Sequence, residues 1–446
     1  MGVVAKTSLY SPDRARQLRD WLLETERWPA ARLRDYQSER LRELVAHARK
    51  HVPFHRERLR AHGEPELDRL TIEEVGALPV MQRGDLQSHS EALTAAWIPP
   101  EHGARKETMT SGSTGTPLRA GTTALALSYW HAFTLRDHLW HKRDFSRTLC
   151  VIRAVGAREA TWPHGKTSPG WGLSTDVLYP TGPGKLLQVT TDIRDQATWL
   201  LRNRPGYLLG YPSNLLWLAE HFSRHGVDLP GLLEVRTFGE YLPDGLHPAV
   251  RDAWGVDVVD AYSSNEVGYI AFQCPEHQHY HVQSENVIVE VLDDGDRPCR
   301  PGHIGRVVVT VLWNYAMPLI RYDHGDFAEQ GDGCDCGRTL PVIRRIVGRA
   351  RNLVRTPDGR RIWPRFGYEE IMGVDAIRRL QFVQNDSRSI DVQMVLTRPL
   401  TPEEVQCLQA HWRGTFDYPF EFVMRPVEDI PRSKGGKFED VVCNLP

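Results

Sequence analysis

The sequence of 446 residues has few of the features that mark membrane, secreted or nucleic-acid-binding proteins. No apolar run approaches the roughly 20 residues that cross a bilayer, and the N-terminal residues lack the apolar core of a secretory signal. A net charge of −2, from 55 basic and 57 acidic residues, gives no bias toward nucleic acid or anionic lipid. Lys6 stands where N-myristoylation requires Ser or Thr. We therefore expect a cytoplasmic monomer or homodimer whose partners are small molecules, with no nucleic acid and no membrane.

Cysteine is also scarce. Seven cysteines, an odd number spread over a long chain, do not form a disulfide framework, so reduced thiols or a metal site are expected. The hydrophobic fraction of 41% and the charged fraction of 25% are typical of a globular protein. At roughly 100–200 residues per domain, the length predicts two or three domains.

The order of sequence patterns predicts an α/β protein with mixed sheets. Residues 1–100 are helical and charged, and the Val52-Pro53 step ends a helix because the residue before proline avoids the helical region. From about Lys106, short β-rich runs alternate with helical stretches, which favours βα units and a mainly parallel sheet. VIVEVLDDGDRP and IGRVVVTVL predict an antiparallel strand pair. The last hundred residues predict a small α+β domain of two helices, an alternating strand (SIDVQMVL) and a closing strand.

A loop rich in glycine and hydroxyl groups precedes a long helical pattern. Glycines let a backbone approach a polyanion, and hydroxyls and N–H groups donate to phosphate oxygens. The loop lacks the Gly-Lys-Ser/Thr ending of a Walker A motif, which disfavours a P-loop ATPase. Composition alone favours phosphate binding and a flexible surface turn equally. The candidate phosphate-binding residues are Thr110, Ser111, Gly112, Ser113, Thr114, Gly115 and Thr116.

Several motifs occur in the order found in the adenylate-forming (ANL) superfamily, and the chain most resembles its phenylacetate-CoA ligase branch. The resemblance includes RELVAHARKHVPFHRERL, LPVMQRGDL, TSGSTGTP and GYPSNLLWLAEH, together with the motifs described below. It implies a large N-terminal adenylation domain at 1–346, with its helical region at 1–100, and a small mobile C-terminal lid at 347–446. It also implies ATP and Mg²⁺ as cofactors, with coenzyme A as a possible acceptor.

The resemblance assigns residues to the nucleotide. Tyr262, between Ala261 and Ser263, takes the place of the aromatic ring that packs on adenine. Glu266 takes the place of the Mg²⁺ ligand, which agrees with the preference of this ion for carboxylate oxygen. Taken alone, a glutamate in a loop is usually just solvated.

Three further positions complete the proposed nucleotide site. Gly239 and Glu240 fall where the family lines the adenine pocket. Asp326, in the Tyr-x-x-Gly-Asp motif, would accept hydrogen bonds from both ribose hydroxyls.

The hinge and the C-terminal motif follow. Gly348-Arg349 opens the hinge motif, and Arg349 is expected near the ribose and phosphate, but Arg351 replaces the usual hinge aspartate, which puts the second acceptor in doubt more than the first step. PRSKGGK resembles the signature that carries the catalytic lysine, for which Lys437 is the candidate and Lys434 its rival. A cation on the α-phosphate offsets charge as pyrophosphate leaves. In isolation such a segment reads as a disordered tail.

Cysteines and histidines flank the predicted antiparallel pair and predict a structural zinc site. Members of the branch carry a Cys and a His before this pair and a Cys-x-Cys after it. The proposed ligands are Cys274, His281, Cys334 and Cys336, with His277 and His279 as rivals to His281. The alternative is a set of reduced thiols beside surface histidines.

The resemblance predicts activation of an aryl or arylacetic acid as its adenylate, followed by transfer to coenzyme A. Candidate substrate residues are Tyr129, Trp130, Phe133 and Tyr211, although aromatic residues at helical spacing are more often core, and we expect this of at least half of them. Two alternatives are a nitrite-activating diazotase acting on an aromatic amine and a non-catalytic zinc-stabilised nucleotide-binding scaffold. Glu266, Asp326 and Lys437 argue against the scaffold.

Overall fold

The computed structural model describes residues 10–110, 118–156, 158–349, 352–364, 374, 376–433 and 435–445. The chain forms two compact units. The first comprises Met1–Leu149, Thr167–Lys185 and Asp260–Ile346, and the second comprises Cys150–Lys166, Leu186–Val259 and Val347–Pro446. One boundary thus falls at 346/347, where the sequence places the start of the small domain. The division into domains 1–346 and 347–446 stays a prediction.

Most helices of the first unit form in the regions that the sequence predicts as helical, and the short helix at Leu173–Asp176 is an addition. Ser11 caps the first helix through its side chain, and the second ends at Val52, whose extended backbone (φ −118°, ψ 109°) confirms the effect predicted for the Val52-Pro53 step. The unit contains α1 (Pro12–Thr25), α2 (Ala30–His51), α3 (Pro53–Arg58), α4 (Glu64–Leu67), α5 (Arg83–Ser88), α6 (Ala124–Trp140) and α7 (Leu173–Asp176), with 3₁₀ turns at Ile72–Ala77 and Pro100–His102.

The strands of the first unit form mainly antiparallel pairs. They are β1 (Met81–Gln82), β2 (Arg105–Thr110), β3 (Leu118–Thr123), β5 (Lys166–Ser168), β9 (Asp257–Ser264), β10 (Gly268–Gln273), β11 (Tyr280–Val282), β12 (Val287–Leu292), β13 (Ile304–Val311), β14 (Tyr322–Gln330) and β15 (Val342–Arg349). Seven of them follow one another in one sheet in the order β12-β13-β14-β15-β11-β10-β9, β1 pairs with β14, and β2 and β3 form a separate sheet. β12 and β13 are antiparallel, as the sequence predicts. β9 and β14, which carry predicted nucleotide residues, belong to this sheet.

The second unit contains a parallel pair and a small α+β body. Its remaining strands are β4 (Leu149–Arg153), β6 (Gly184–Gln188), β7 (Tyr207–Gly210), β8 (Glu234–Phe238), β16 (Val354–Arg355), β17 (Arg361–Ile362), β18 (Ile377–Gln384), β19 (Ser389–Leu396), β20 (Glu421–Pro426) and β21 (Val441–Cys443). Its helices are α8 (Ile193–Asn203), α9 (Pro212–His225), α10 (Leu246–Trp254) and α11 (Pro402–Thr415). β7 and β8 are parallel, as expected for a βα unit.

The C-terminal body contains the predicted alternating strand, second helix and closing strand, together with additional strands. SIDVQMVL forms β19, and TPEEVQCLQAHWRG forms most of α11 behind a capping box at Thr401 and Glu404. A strand that the sequence patterns do not predict, β18, pairs antiparallel with β19, and the sheet runs β20-β19-β18-β21. Trp412 and Phe382 are buried in the core between helix and sheet. The predicted first helix of this body falls largely outside the described residues. Among the helices described, none is long and apolar enough to span a membrane.

A buried ion pair ties three segments of the first unit together. The Arg136 guanidinium in α6 donates to Glu285 at 2.7 and 3.1 Å, and their side chains are 1% and 0% exposed. Gln283 accepts a further hydrogen bond from Arg136, and Thr25 in α1 donates to Glu285. Because both charges are desolvated, removal of one partner leaves the other unpaired in the interior.

We predict that Arg136→Leu destabilises the protein by about 3–5 kcal/mol, because it leaves the Glu285 carboxylate buried without its cation. Arg16→Leu is the matched control, since the Arg16–Asp13 pair is 54% and 87% exposed, and it should change stability by less than about 0.5 kcal/mol. Urea unfolding of both variants, followed by circular dichroism, measures the difference. Equal midpoints would contradict the prediction.

Candidate active site and metal cluster

Tyr262 and Asp326 lie 64 residues apart in the chain but are in direct contact in the first unit. The Tyr262 hydroxyl donates to Asp326 Oδ2 at 2.9 Å and lies 3.0 Å from Nε2 of His324. Tyr262 and Asp326 are each 7% exposed. The sheet therefore brings together the residues that the resemblance assigns to adenine and ribose. Ala261 and Ser263 flank Tyr262 in β9 and pair with β10.

Glu266 lies at the turn between β9 and β10 and has two polar neighbours. Its side chain is 7% exposed, Arg83 Nη1 lies 3.3 Å from Oε1, and the Tyr322 hydroxyl donates to the same oxygen at 3.4 Å. Burial raises the pKa of Tyr322, so this phenol is a neutral donor. Sequence reasoning gave no role to Arg83, although it lies in the LPVMQRGDL segment that marks the family.

The predicted phosphate loop connects two paired strands. β2 and β3 are antiparallel, and their register ends at Thr110 opposite Leu118. Thr110 therefore ends a strand at the start of the loop. Ser111, Gly112, Ser113, Thr114, Gly115 and Thr116 lie outside the described residues.

The candidate substrate aromatics of α6 divide into core and partly exposed residues. Tyr129 stacks on Trp313, and both Tyr129 and Phe133 are at most 4% exposed in the core of the first unit. Trp130 is only half-buried and stacks on Tyr269 with ring centroids 4.1 Å apart. Of the three, Trp130 is thus the one with exposed ring surface.

Tyr211, the fourth candidate, contacts the C-terminal loop within the second unit. Its ring is 5% exposed, packs on Phe238 and donates through its hydroxyl to the carbonyl of Gly435 at 3.1 Å. Burial raises the pKa of Tyr211, so its hydroxyl keeps its proton for this bond. The sequence gave no indication of this contact with a residue 224 positions away.

A closed turn places the Lys437 side chain beside Gly239. Within it, Ser433 N donates to the Lys437 carbonyl at 2.8 Å and Lys437 N donates to Ser433 Oγ at 3.2 Å. Gly239 has φ +79°, and a Cβ at that position would lie 3.4 Å from Lys437 Cε and 3.6 Å from Nζ. The positive φ therefore favours glycine there, and the end of the lysine side chain lies at van der Waals distance from this position. The rival Lys434 lies outside the described residues.

Glu240 holds the same turn from the other side. Its carboxylate accepts from the N–H of Phe438 at 2.6 Å and from the N–H of Ser213, at the start of α9, at 3.0 Å. Arg432 Nη1 lies 3.9 Å from Oε1. Desolvation outweighs these contacts and raises the pKa of Glu240. Both predicted adenine-pocket residues, Gly239 and Glu240, thus contact the loop that carries Lys437.

Only part of the predicted hinge lies within the described residues. Gly348 and Arg349 end β15, and Gly348 has φ +134° with Trp363 close to its α-carbon. Arg351, the departure from the family pattern, lies outside the described residues. Asp358 is exposed and pairs with Arg360 at 3.0 Å.

Cysteines and histidines from both sides of the antiparallel pair form one cluster. Ligand atoms of Cys274, His279, His281 and Cys334 all lie within 4.8 Å of one another. Cys336 Sγ lies 3.4 Å from His281 Nε2, so all four predicted ligands are together and His279 joins them. His277 instead lies 2.6 Å from Asp335.

The chemistry of this cluster suits a borderline-soft cation. Hydrogen bonding of His281 Nδ1 to the Leu340 carbonyl at 3.3 Å leaves Nε2 facing the cysteines, and burial lowers the pKa of His281 to about 4. Nε2 of His279 is buried without a hydrogen-bond partner in the described structure. Burial raises the pKa of Cys334 to about 12, which disfavours a bare thiolate there unless a cation compensates. Neutral imidazole nitrogens and closely spaced cysteine sulfurs are the ligand atoms that Zn²⁺ prefers.

No protein-family model matches the chain. The chain is 29% identical to phenylacetate-coenzyme A ligase of Thermus thermophilus over 344 residues, which cover 74% of this chain and 73% of the relative. It is 27% identical to the enzyme of that name from Pseudomonas putida, over 72% of both chains. The corresponding Escherichia coli enzyme is 25% identical over 85% of this chain and 86% of its own.

Solved structures show the same fold. A 2-hydroxyisobutyryl-CoA ligase matches with a TM-score of 0.73 and 18% identity, covering 95% of this chain and 92% of the ligase. An anthranilate CoA ligase in complex with anthranoyl-AMP matches with a TM-score of 0.53 and 15% identity, over 75% of this chain and 65% of its own. The predicted α/β fold with mixed sheets is thereby confirmed as the fold of adenylate-forming CoA ligases.

We predict that Gly436→Ala displaces the loop that carries Lys437. A Cβ at Gly436 would lie 2.7 Å from Ala154 Cβ and 2.9 Å from Val189 Cγ1, an overlap of the kind that costs about 1–3 kcal/mol. Trypsin should therefore cleave after Lys437 faster than in the parent. Gly359→Ala is the matched control, because Gly359 also has a positive φ (+85° against +76°) but open space around it. Equal cleavage rates in the two variants would contradict the prediction.

Proposed function

We propose that this chain, a relative of the phenylacetate-CoA ligases, is an ATP-dependent, AMP-forming ligase. It activates an aryl or arylacetic acid as the acyl adenylate and transfers the acyl group to coenzyme A. The observation that carries the proposal is the 2.9 Å hydrogen bond from Tyr262 to Asp326, with Glu266 in the turn that follows the strand of Tyr262. Family motifs that are distant in sequence thus come together in the first unit.

In the first half-reaction, a carboxylate oxygen of the acid attacks the α-phosphorus of Mg-ATP and pyrophosphate leaves. Tyr262 packs on adenine, flanked by Ala261 and Ser263, and Asp326 accepts from the ribose hydroxyls. Glu266 supplies carboxylate oxygen to the Mg²⁺ that ATP brings. Arg83, which faces Glu266 at 3.3 Å, balances that carboxylate before Mg-ATP binds.

Lys437 is the proposed cation for this step. Lys437 offsets the negative charge that builds on the α-phosphate as the bond to pyrophosphate breaks. Gly239 leaves room for its side chain, and Glu240 fixes the adjoining turn. Thr110 and the loop 111–116 would donate to the β- and γ-phosphates, and Arg349 would lie near the ribose and phosphate.

In the second half-reaction, the thiol sulfur of coenzyme A attacks the acyl carbon and AMP leaves. The relatives in Thermus, Pseudomonas and Escherichia are all named for this chemistry on phenylacetate. They give no support to the nitrite-activating diazotase or to the non-catalytic scaffold. A cytoplasmic location and a monomeric or homodimeric state stay predictions.

Trp130 is the residue we propose to contact the ring of the acid. Its indole stacks on Tyr269 at an interplanar angle of 18°, and the α-carbon of Gly268 faces it without a side chain. A flat aromatic face beside a glycine fits a planar aryl group. Tyr129 and Phe133 are core residues, and Tyr211 bonds to Gly435 in the Lys437 turn.

We further propose that Cys274, His281, Cys334 and Cys336 hold a structural Zn²⁺, with His279 as the competitor for one position. The supporting observations are the buried, unpartnered Nε2 of His279 and the spacing of the sulfurs, with Cys274 and Cys334 3.9 Å apart. A bound ion would fix the two ends of the β12–β13 segment, and four protein ligands leave no open coordination position.

We predict that Lys437→Ala lowers the rate of ATP–pyrophosphate exchange, with phenylacetate and a panel of aryl acids, by about 10²–10³-fold, because one electrostatic donor to the transition state is lost. Lys166→Ala, which removes an exposed lysine paired with Glu159, is the control and should exchange like the parent. Exchange by Lys437→Ala at the parental rate would contradict the assignment of the lysine. Absence of exchange in the parent with every acid would contradict the proposed function.

We predict that the purified protein contains about one zinc ion per chain and that Cys334→Ser lowers this content and the melting temperature together. Cys407→Ser is the matched control, because Cys407 is exposed in α11 and outside the cluster. Plasma emission spectrometry and calorimetry give the two readouts without any activity assay. Full zinc content in Cys334→Ser, or none in the parent, would contradict the prediction.

A further inference from the structure

Arg432, five residues before Lys437, is bound on several sides. Nη1 donates to Ser213 Oγ at 3.1 Å and to the Gly436 carbonyl at 3.0 Å, and Nη2 donates to Asn214 Oδ1 at 3.3 Å. The guanidinium also stacks over the Trp217 ring, 4.5 Å from its centroid, and the side chain is only 11% exposed. This arrangement uses the planar fork of the guanidinium, which a lysine cannot reproduce.

The partners of Arg432 are themselves fixed. Asn214 Nδ2 donates to Gln196 Oε1 at 2.7 Å, and Gln196 Nε2 donates to the carbonyls of Val189 and Thr191 at 3.1 and 2.7 Å. Both amide side chains are buried. Gln196 Nε2 also donates to Asn214 Oδ1 at 3.3 Å, so the two amides fix the oxygen that accepts from Arg432. The first turn of α9 thus presents a preorganised acceptor for Arg432.

The charges around Arg432 favour the same arrangement of hydrogen bonds. Arg432 loses most of its hydration in this position, and desolvation lowers its pKa. The Glu240 carboxylate, 3.9 Å away, supplies the opposite charge and accepts from the N–H of Phe438 on the far side of Lys437. Residues 432 and 438 are therefore both anchored, and Lys437 lies between the two anchors.

The bond from Arg432 to the Gly436 carbonyl links this anchor directly to the lysine. Gly436 N also donates to the Ser433 carbonyl at 2.8 Å, which closes the turn between them. A shift of the guanidinium would move the carbonyl next to Lys437. The side chains of Arg432 and Lys437 carry only donor groups, so they cannot hydrogen-bond to each other. Arg432 thus acts on the ammonium group only through the turn.

We propose that Arg432 is a positioning residue that holds the Lys437 ammonium in place for adenylation and has no part in the thioester step. The inference rests on the proposed function. The hydrogen bonds from the guanidinium to Ser213, Asn214 and Gly436 position the lysine. The positive charge of Arg432 alone does not.

The test compares Arg432→Lys and Arg432→Gln in the full-length protein, with the two half-reactions measured separately. ATP–pyrophosphate exchange should fall about 10–100-fold in kcat for both variants, the size of loss that misplacement of a catalytic group by about 1 Å causes. The KM for ATP should change less than about twofold, since Arg432 does not bind nucleotide. Thioester formation from chemically prepared phenylacetyl-adenylate and coenzyme A should keep the parental rate.

Three controls separate the interpretations. Arg425→Gln removes an exposed arginine of β20 that pairs with Asp391, and should leave both half-reactions unchanged. Arg432→Gln combined with Lys437→Ala should be no slower in exchange than Lys437→Ala alone, because the arginine acts through the lysine. Melting temperatures show whether the variants are folded.

Specific results would overturn the proposal. Full activity of Arg432→Lys would show that charge suffices, and an equal loss in both half-reactions would show general damage to the fold. Additive losses in the double variant would show that Arg432 acts independently of Lys437. Failure of the parent to exchange pyrophosphate with any acid would instead refute the proposed function. This outcome is distinguished from failure of the Arg432 proposal because it is seen in the parent protein and needs no variant.

Discussion

The buried carboxylate of Glu240 is the interaction on which the placement of Lys437 depends. It accepts from Phe438 N at 2.6 Å and from Ser213 N at 3.0 Å, so one side chain joins the C-terminal loop to the start of α9. A desolvated carboxylate is costly unless it is hydrogen-bonded and paired, which is why backbone donors and Arg432 converge on it. Because Phe438 and Ser213 lie on different segments, the carboxylate fixes their relative positions within the second unit.

The glycines of this region follow from the same constraint. The lysine tip lies so close to the Gly239 α-carbon that a Cβ there would touch it at 3.4 Å, and Gly436 lies against Ala154 and Val189. Both glycines have positive φ, which favours glycine, and at Gly436 the close packing favours it as well. The Gly/Lys segment, whose composition resembles a disordered tail, is therefore packed, because its backbone groups form hydrogen bonds with residues that are distant in the sequence.

Local patterns predicted most of the fold. The end of α2 at Val52 and the β12–β13 pair follow from proline sterics and from short-range strand patterning, which depend on neighbouring residues alone. The gathering of Cys274, His281, Cys334 and Cys336 was predicted from spacing and resemblance. Strand β18 was missed because its residues IRRLQFVQ place charged side chains in a strand whose buried positions are concentrated at one end.

The candidate site was less predictable, since its contacts join distant segments. Arg83 reaches Glu266 over 183 positions, and Arg432 reaches Asn214 over 218. No periodicity encodes such pairs, and an arginine in isolation is usually a solvated surface residue. Tyr129 and Phe133 are buried in the core, which agrees with the expectation that at least half of the candidate aromatics are core residues.

Identification of the nucleotide produced during turnover tests the proposed adenylation most directly. Incubation of the protein with Mg-ATP, coenzyme A and an accepted aryl acid, followed by chromatography of the nucleotides, should give one AMP and one pyrophosphate per thioester formed. That stoichiometry is required if the acid attacks the α-phosphorus beside Lys437. Formation of ADP and phosphate, or of thioester without AMP, would contradict the account.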